Sequence, residues 1–275
     1  ANRPDCQSIF GLAREVAAAL GEPLKTPALD YTETEVEKEG FNVTVEAQDL
    51  CPRYIAHYVY DVKLGQSPAW MRRRLALVGN NSISNIVDIT NYIMRELGQP
   101  LHAFDCDYLE GNAINVRRAA EGEKIVTLDE KEFTLNPNNL VICDGKKPVA
   151  LAGIMGGLNS EIRDTTTEVM FEAAKFARDN IRRSSRALGQ GSDASQRYSK
   201  GVDEYTTEMA MKRVLHLVEE LGVGKISKTH KNVNTGNSLE PTTFKTSVKK
   251  VNAVLGITVP NEDILRILTG LNFQP

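Results

Sequence analysis

Cysteine is scarce in this sequence, and its spacing matches no known site. Cys6, Cys51, Cys106 and Cys143 lie far apart, without a Cys-x-x-Cys or a Cys/His ligand pattern, so a zinc site is disfavoured. A disulfide-stapled secreted scaffold would be shorter and richer in cysteine. Four scattered thiols are typical of a reducing compartment. We therefore expect a cytoplasmic protein in which each cysteine is a small buried residue.

Long apolar runs and an excess of basic charge are also missing. Nowhere do about eighteen apolar residues follow one another, so no membrane span is expected. The net charge is −3 and the sequence pI about 5.9, whereas a dedicated DNA- or RNA-binding domain is usually basic. Any contact with RNA is thus expected over a limited surface. The first residue is not Met, and the last residues follow a newly begun helical pattern, so we expect both ends to be cuts in a longer protein.

The 275 residues carry several short β patterns between four or five helical ones. This alternation predicts an α+β fold with a mixed or antiparallel sheet, sandwich-like, and flanking helices. We predict a main domain over residues 1–230 and a linker rich in Asn, Thr and Ser over residues 231–243. Residues 244–275 hold two short helical patterns, too few for an independent core, and are read as the truncated start of a second domain.

One helical pattern is the most informative. Between a capping serine, Ser82 or Ser84, and the stop at Gly98, apolar residues recur with helical spacing. Thr90 falls on this apolar stripe, where a polar residue is unexpected. His102 follows a few residues after the stop, and we predict that it lies in a loop.

Five segments are distinctive in composition and lie in a fixed order: NIVDITNY at 85–92, ELGQPLHAFD at 96–105, LAGIMGG at 151–157, FEAAKF at 171–176 and SDASQRY at 192–198, followed by GVD at 201–203. With the opening NRPD at 2–5, they resemble the β-subunit family of bacterial phenylalanyl-tRNA synthetases. The resemblance covers residues 1–230, the B3/B4 region of that family, and residues 242–275 resemble the start of its B5 domain.

The resemblance implies a function. In that family, B3/B4 is an editing domain that hydrolyses Tyr-tRNA(Phe), and the synthetase is an (αβ)₂ heterotetramer. Its α subunit activates phenylalanine with ATP and Mg²⁺, so this chain is expected to need no cofactor or metal of its own. The expected partners are the α subunit and the 3′ end of tRNA(Phe).

Glu172 and His102 are the residues to which the resemblance assigns the central roles. Glu172 matches the family's Glu-x-Ala motif, so it is predicted to read the phenolic hydroxyl of tyrosine. The strand pattern places Met170, Glu172 and Ala174 on one face, although a solvated glutamate on a strand edge would show the same spacing. His102 is predicted to activate water or to position the ester, because its ordinary pKa suits chemistry near neutral pH.

The remaining predicted site residues would line the same pocket. Thr90 either contributes a hydroxyl or simply bonds back to its own helix. Ala152 and Gly153 would let amide groups approach the aminoacyl carbonyl, or they form only a tight turn. Asn91 and Ser192 are predicted to contact substrate, and Ala194 to limit the size of the pocket; the family often has threonine at position 192.

Two basic clusters and two rival functions stay open. The clusters are Arg72 to Arg74 and a set along one helix, Arg178, Arg182, Arg183 and Arg186; they either contact tRNA phosphates or are solvated helix faces. The main rival to editing is a non-catalytic module that braces the synthetase and shapes tRNA docking. A free-standing tRNA-binding protein is disfavoured by the tail, which looks like a continuing β subunit.

Overall fold

The computed structural model describes residues 3–236 and 240–275. Asn2 of the opening motif and residues 237–239 of the predicted linker lie outside this range. The helices are α1 (Ile9–Leu20), α2 (Ala69–Leu77), α3 (Asn85–Leu97), α4 (Arg178–Ala187), α5 (Asp193–Lys200), α6 (Tyr205–Glu220), α7 (Val248–Leu255) and α8 (Asn261–Gly270). The strands are β1 (Asn42–Val45), β2 (Arg53–Tyr60), β3 (Leu101–Asp105), β4 (Ala113–Arg118), β5 (Lys124–Val126), β6 (Glu132–Thr134), β7 (Leu140–Cys143), β8 (Pro148–Leu151), β9 (Met155–Gly156), β10 (Val169–Lys175) and β11 (Lys225–Asn234).

A four-stranded antiparallel sheet forms the centre of the fold, with strand order β11-β2-β10-β3. Side chains alternate between its two faces. Val169, Phe171 and Ala173 of β10 belong to the core shared with α2, α3 and α6. Met170 and Ala174 belong to the core on the opposite face, which is also the face of Glu172. The predicted alternation along this strand is therefore confirmed.

A five-stranded sheet covers that opposite face, in the order β1-β4-β7-β8-β9. Its β1–β4 pair is parallel and its other pairs are antiparallel. Val116, Ile142 and Val149 from this sheet share a core with Tyr54 and Phe104 from the first. The result is a helix layer and two packed sheets, so the predicted α+β fold with mixed sheets is confirmed.

Several local predictions differ from the structure. His102 lies in strand β3 rather than in a loop, because Pro100 and the helix stop at Gly98 are followed at once by pairing with β10. Residues 193–200 form helix α5, which the sequence pattern had not suggested. Strand β11 runs to Asn234, four residues into the predicted linker, because its backbone pairs with β2. The predicted division into domains stays a prediction.

The ends of helix α3 agree with the pattern. Ser84 caps it by accepting a hydrogen bond from the amide of Val87, and Gly98 ends it with a left-handed backbone conformation. Ser82, the other candidate cap, donates to the carboxylate of Asp88 instead. Within the described ranges, no helix combines the length and apolarity needed to cross a membrane.

Candidate functional site

A cavity of about 210 Å³ lies between the two sheets, beside helices α3 and α5. An apolar cavity of about 150 Å³ in another protein is large enough to bind benzene, so this cavity can hold one aromatic ring with a polar substituent. Seven of the eight predicted site residues line it: Thr90, Asn91, His102, Gly153, Glu172, Ser192 and Ala194. The fold therefore brings together residues that are far apart in the sequence.

Glu172 is the charged group held most deeply in the cavity wall. Its side chain is 5% exposed, and its Oε2 accepts a hydrogen bond from the hydroxyl of Tyr54 at 2.7 Å. Burial raises the pKa of Glu172 to about 7, while the Tyr54 hydrogen bond acts in the opposite direction. No described residue donates a hydrogen bond to Oε1. The carboxyl group is thus fixed by one oxygen and can accept a ligand's hydroxyl with the other.

His102 lies directly opposite Glu172, as its partner in the β3–β10 pairing. Opposite residues in such a pair carry their side chains on the same face. The imidazole packs edge-on against Phe104, with ring centroids 4.5 Å apart. Its Nε2 is buried without a hydrogen-bond partner among the described residues. Burial lowers the pKa of His102 to about 4, so the ring is neutral at pH 7 and a weak base.

The glycine-rich turn that follows β8 (residues 152–157, which include the short strand β9) makes room for the imidazole of His102. A Cβ at Gly156 would lie 2.4 Å from Cε1 of His102, so the imidazole can occupy its position only because residue 156 has no side chain. Gly153 has a φ of +66°, and a Cβ there would lie 2.9 Å from both Phe176 and Tyr198. Glycine is therefore required at both positions for packing.

Ala152 is the predicted site residue that does not line the cavity. Its side chain is fully buried, and its amide donates to the carbonyl of Leu140 at 3.1 Å. That amide is therefore not free to bind an aminoacyl carbonyl. The amide of Gly153, which does line the cavity, has no hydrogen-bond acceptor within the described part of the chain, so it remains available for this role.

Two predicted hydroxyl groups already have protein partners. Thr90 donates to the carbonyl of Val87 at 2.7 Å, in the preceding turn of its own helix. This is the bond back to the helix that the sequence left open as the alternative to a pocket hydroxyl. Ser192 caps α5 by accepting from the amide of Ser195, and it donates to the carbonyl of Ile154 at 2.6 Å. Ser192 thereby holds the first turn of α5, with Ala194, against the glycine-rich turn.

Tyr54 and Gly156 are functional candidates that the sequence patterns did not single out. Tyr54 is fully buried on β2, where a tyrosine is an ordinary strand residue; only its pairing with β10 places its hydroxyl on Glu172. Gly156 lies on the short strand β9, and the glycine-rich motif around it gave no hint of a histidine nearby. Long-range pairing creates both contacts, so local spacing could not reveal them.

The basic clusters and the groups suited to metal binding lie outside the cavity wall. Arg182, Arg183 and Arg186 of α4 are exposed, and no ion pair joins them to the described residues. Arg74 of α2 donates to the hydroxyl of Tyr92. Two groups of side chains have donor atoms close enough for one cation, Glu33 with His57 and His230, and Asp5 with Cys6 and Glu15. None of these residues lines the cavity.

Comparison with known proteins gives consistent results. The family model for the B3/4 domain matches residues 50–223. The phenylalanine–tRNA ligase β subunit of Syntrophus aciditrophicus is 48% identical over 282 residues, which cover 99% of this chain and 34% of that protein. The corresponding subunit of Clostridium tetani is 43% identical over 274 residues, with the same two coverages. The chain thus spans about a third of the length of these relatives.

Among solved structures, an N-terminal fragment of the phenylalanyl-tRNA synthetase β subunit from Pyrococcus horikoshii matches with a TM-score of 0.48 and 16% identity. That match covers 98% of this chain and 74% of the fragment.

Proposed function

The chain belongs to the B3/4 domain family, and from this premise we propose that its cavity hydrolyses the ester of Tyr-tRNA(Phe), as the editing part of a phenylalanine–tRNA ligase β subunit. One observation carries the proposal: a buried carboxyl group, Glu172, lies in a cavity of the size of one aromatic ring. Its Oε2 is fixed by Tyr54, so Oε1 is the acceptor for a phenolic hydroxyl.

The physical problem that such a site solves is discrimination. An apolar pocket for phenylalanine rejects a ring with an added hydroxyl by only about 10²-fold, so tyrosine reaches the tRNA. A site built to hydrogen-bond that hydroxyl rejects a substrate without it by about 10⁴–10⁵-fold, because its buried polar group would stay unpaired. In the proposed site, Glu172 is that group, so tyrosine esters enter productively and phenylalanine esters are spared.

We assign His102 a positioning role rather than that of a general base. A base with a pKa of about 4 is poorly matched to proton transfer near neutral pH. A neutral imidazole can still donate or accept a hydrogen bond, and its unpaired buried nitrogen calls for a partner. The attacking water or the ester oxygen would supply that partner. The free amide of Gly153 would then stabilise the oxyanion that develops on the carbonyl.

The proposal places the chain within a larger enzyme. The relatives are named as phenylalanine–tRNA ligase β subunits, which implies an α subunit as partner and a tRNA as substrate. We propose that the assembly is an (αβ)₂ heterotetramer and that the tRNA is tRNA(Phe). We propose that ATP and Mg²⁺ serve aminoacylation on the α subunit. The glycine-rich turn of this chain lacks the Gly-Lys-Ser/Thr ending of a phosphate loop. A cytoplasmic location follows from this role in translation.

The test uses the complete heterotetramer, with preformed Tyr-tRNA(Phe) as substrate. The substitution Glu172→Ala should abolish rapid deacylation and leave phenylalanine attachment unchanged. Glu121→Ala, at an exposed glutamate that does not line the cavity, serves as the matched control and should deacylate normally. If the wild-type enzyme and both variants fail to deacylate Tyr-tRNA(Phe), the chain is a structural or tRNA-docking module instead.

A further inference from the structure

Glu33, His57 and His230 form a cluster of potential metal ligands, and none of the three lines the cavity. One donor atom from each residue can be chosen so that all three lie within 4.8 Å of one another. His57 is in the middle of strand β2 and is 3% exposed. His230 is its direct partner on β11, and Glu33 comes from the acidic segment before β1. Three separate elements therefore converge on one point at the sheet edge.

The backbone fixes this convergence. The register of β11 against β2 shifts between Ile226 and His230, and such a bulge redirects the side chains around it. The neighbouring segment is tied to the bulge, since both the amide and the hydroxyl of Thr34 donate to the carbonyl of Ile226, at 2.8 and 2.9 Å. Because Thr34 is held in this way, Glu33 is held near both histidines.

Two oxygen atoms lie near Nε2 of His57, at distances that bracket the spacing of ligands around a small cation. Its Nε2 lies 3.9 Å from Oε1 of Glu33, and it donates a hydrogen bond to the carbonyl oxygen of Ser227 at 2.8 Å. Ligands about 2.0–2.2 Å from a tetrahedral zinc ion are separated by roughly 3.3 Å. A cation bound to Nε2 would replace the hydrogen bond to Ser227, and each of the two distances would change by about 0.5–0.6 Å. The neutral His57 ring would then carry its proton on Nδ1.

His230 has the freedom to complete the set. Its ring is stacked on that of His57, with centroids 5.3 Å apart and planes inclined by 13°. Parallel rings direct their in-plane lone pairs in parallel directions, so His230 must turn for both to bind one ion. Its side chain is exposed, so the ring has room to turn, and in turning it gives up the 3.2 Å contact of its Nδ1 with the carbonyl oxygen of Lys228. Glu33 is also exposed, so the remaining coordination positions are open to water.

From this geometry we propose that Glu33, His57 and His230 bind a divalent transition-metal cation, with the chemistry of zinc, which fastens the acidic segment to strand β11. Two imidazoles and one carboxylate are ligands that zinc commonly takes in proteins. The site does not depend on the proposed editing function.

The test is a titration of the chelator-treated chain with Co²⁺, followed by its visible absorption, and then displacement of Co²⁺ by Zn²⁺. We expect one ion per chain. The variants His230→Ala and Glu33→Gln alter exposed side chains, so folding is preserved. They should weaken binding by more than about 100-fold, since removing a residue that merely orients a ligand already costs about 10–100-fold.

His216→Ala provides the matched control. His216 lies on α6 and is paired with Glu220 at 3.2 Å. Among the described residues it belongs to no group of three potential metal ligands, so its loss should leave the titration unchanged. The proposal is overturned if the chain takes up no Co²⁺ stoichiometrically, or if His230→Ala binds as tightly as the wild type. Binding that is lost in the His216→Ala control but kept in Glu33→Gln would equally overturn it.

Discussion

Replacing Glu172 by glutamine should change how the stability of the chain depends on pH. The buried carboxyl group has a pKa of about 7 in the folded protein, against 4.5 when unperturbed. Its folded pKa is raised, so its contribution to stability is fully present below about pH 4.5 and is lost as the pH rises to about 7. A difference of this size corresponds to ~3 kcal/mol.

Two histidines act in the opposite direction and must be separated from this effect. Burial lowers the pKa of both His57 and His102 to about 4, so each stabilises the fold less as the pH falls below its unfolded value of 6.5. As the pH rises from 5 to 8, each histidine therefore increases the free energy of unfolding by up to ~2 kcal/mol. The substitution Glu172→Gln leaves both histidines in place, so their contributions cancel when the variant is compared with the wild type.

The assay is urea denaturation of the wild type and the variant at pH 5 and at pH 8. Glutamine keeps the size of the side chain and an oxygen for the Tyr54 hydroxyl, so the two proteins should fold alike. Relative to the wild type, the variant should gain ~2–3 kcal/mol on going from pH 5 to pH 8. If the difference between the two proteins is the same at both pH values, the carboxyl group does not titrate near pH 7, and the reasoning from its burial is wrong.

Two further predictions concern the residues around the central pair. Tyr54→Phe removes the hydrogen bond to Glu172, which is worth about 1.5–3 kcal/mol for a charged acceptor. The substitution should raise the pKa of the Glu172 carboxyl group and reduce discrimination between tyrosine and phenylalanine esters. Deacylation rates of both esters from pH 6 to 9 measure these effects. Gly156→Ala should displace the His102 ring and slow Tyr-tRNA(Phe) hydrolysis at least about 10-fold, whereas Gly191→Ala, where an added Cβ has no neighbour within 4 Å, should not. Equal rates in the two glycine variants would contradict the packing described for the ring.

The sequence predicted the elements whose signals are local. Helix α3 was predicted because its apolar residues recur with helical spacing between a serine cap and a glycine stop, and the structure has both. The face shared by Met170, Glu172 and Ala174 followed from simple alternation. In helix α1, apolar residues also recur with helical spacing, yet Ile9, Val16 and Leu20 are more than half exposed. Periodicity identifies the helix but not what covers it.

The sequence predicted which residues belong to the candidate site, but not the contacts that these residues make with one another. The motif resemblance singled out seven residues that line the cavity, yet it gave no hint that Tyr54 holds Glu172. That contact depends on the register between β2 and β10, which no local pattern encodes. The lowered pKa of His102 likewise results from burial by residues distant in the sequence. Of the two roles that the sequence left open for this histidine, a pKa of about 4 favours positioning over general-base catalysis.

The most direct test of the editing proposal compares the rates at which the wild-type heterotetramer deacylates Tyr-tRNA(Phe) and Phe-tRNA(Phe). A buried carboxyl group that must be satisfied by the phenolic hydroxyl predicts that the tyrosine ester is cleaved about 10⁴-fold faster, and that Glu172→Ala removes the preference. Equal cleavage of both esters by the wild type, or a preference that survives in the variant, would contradict the account.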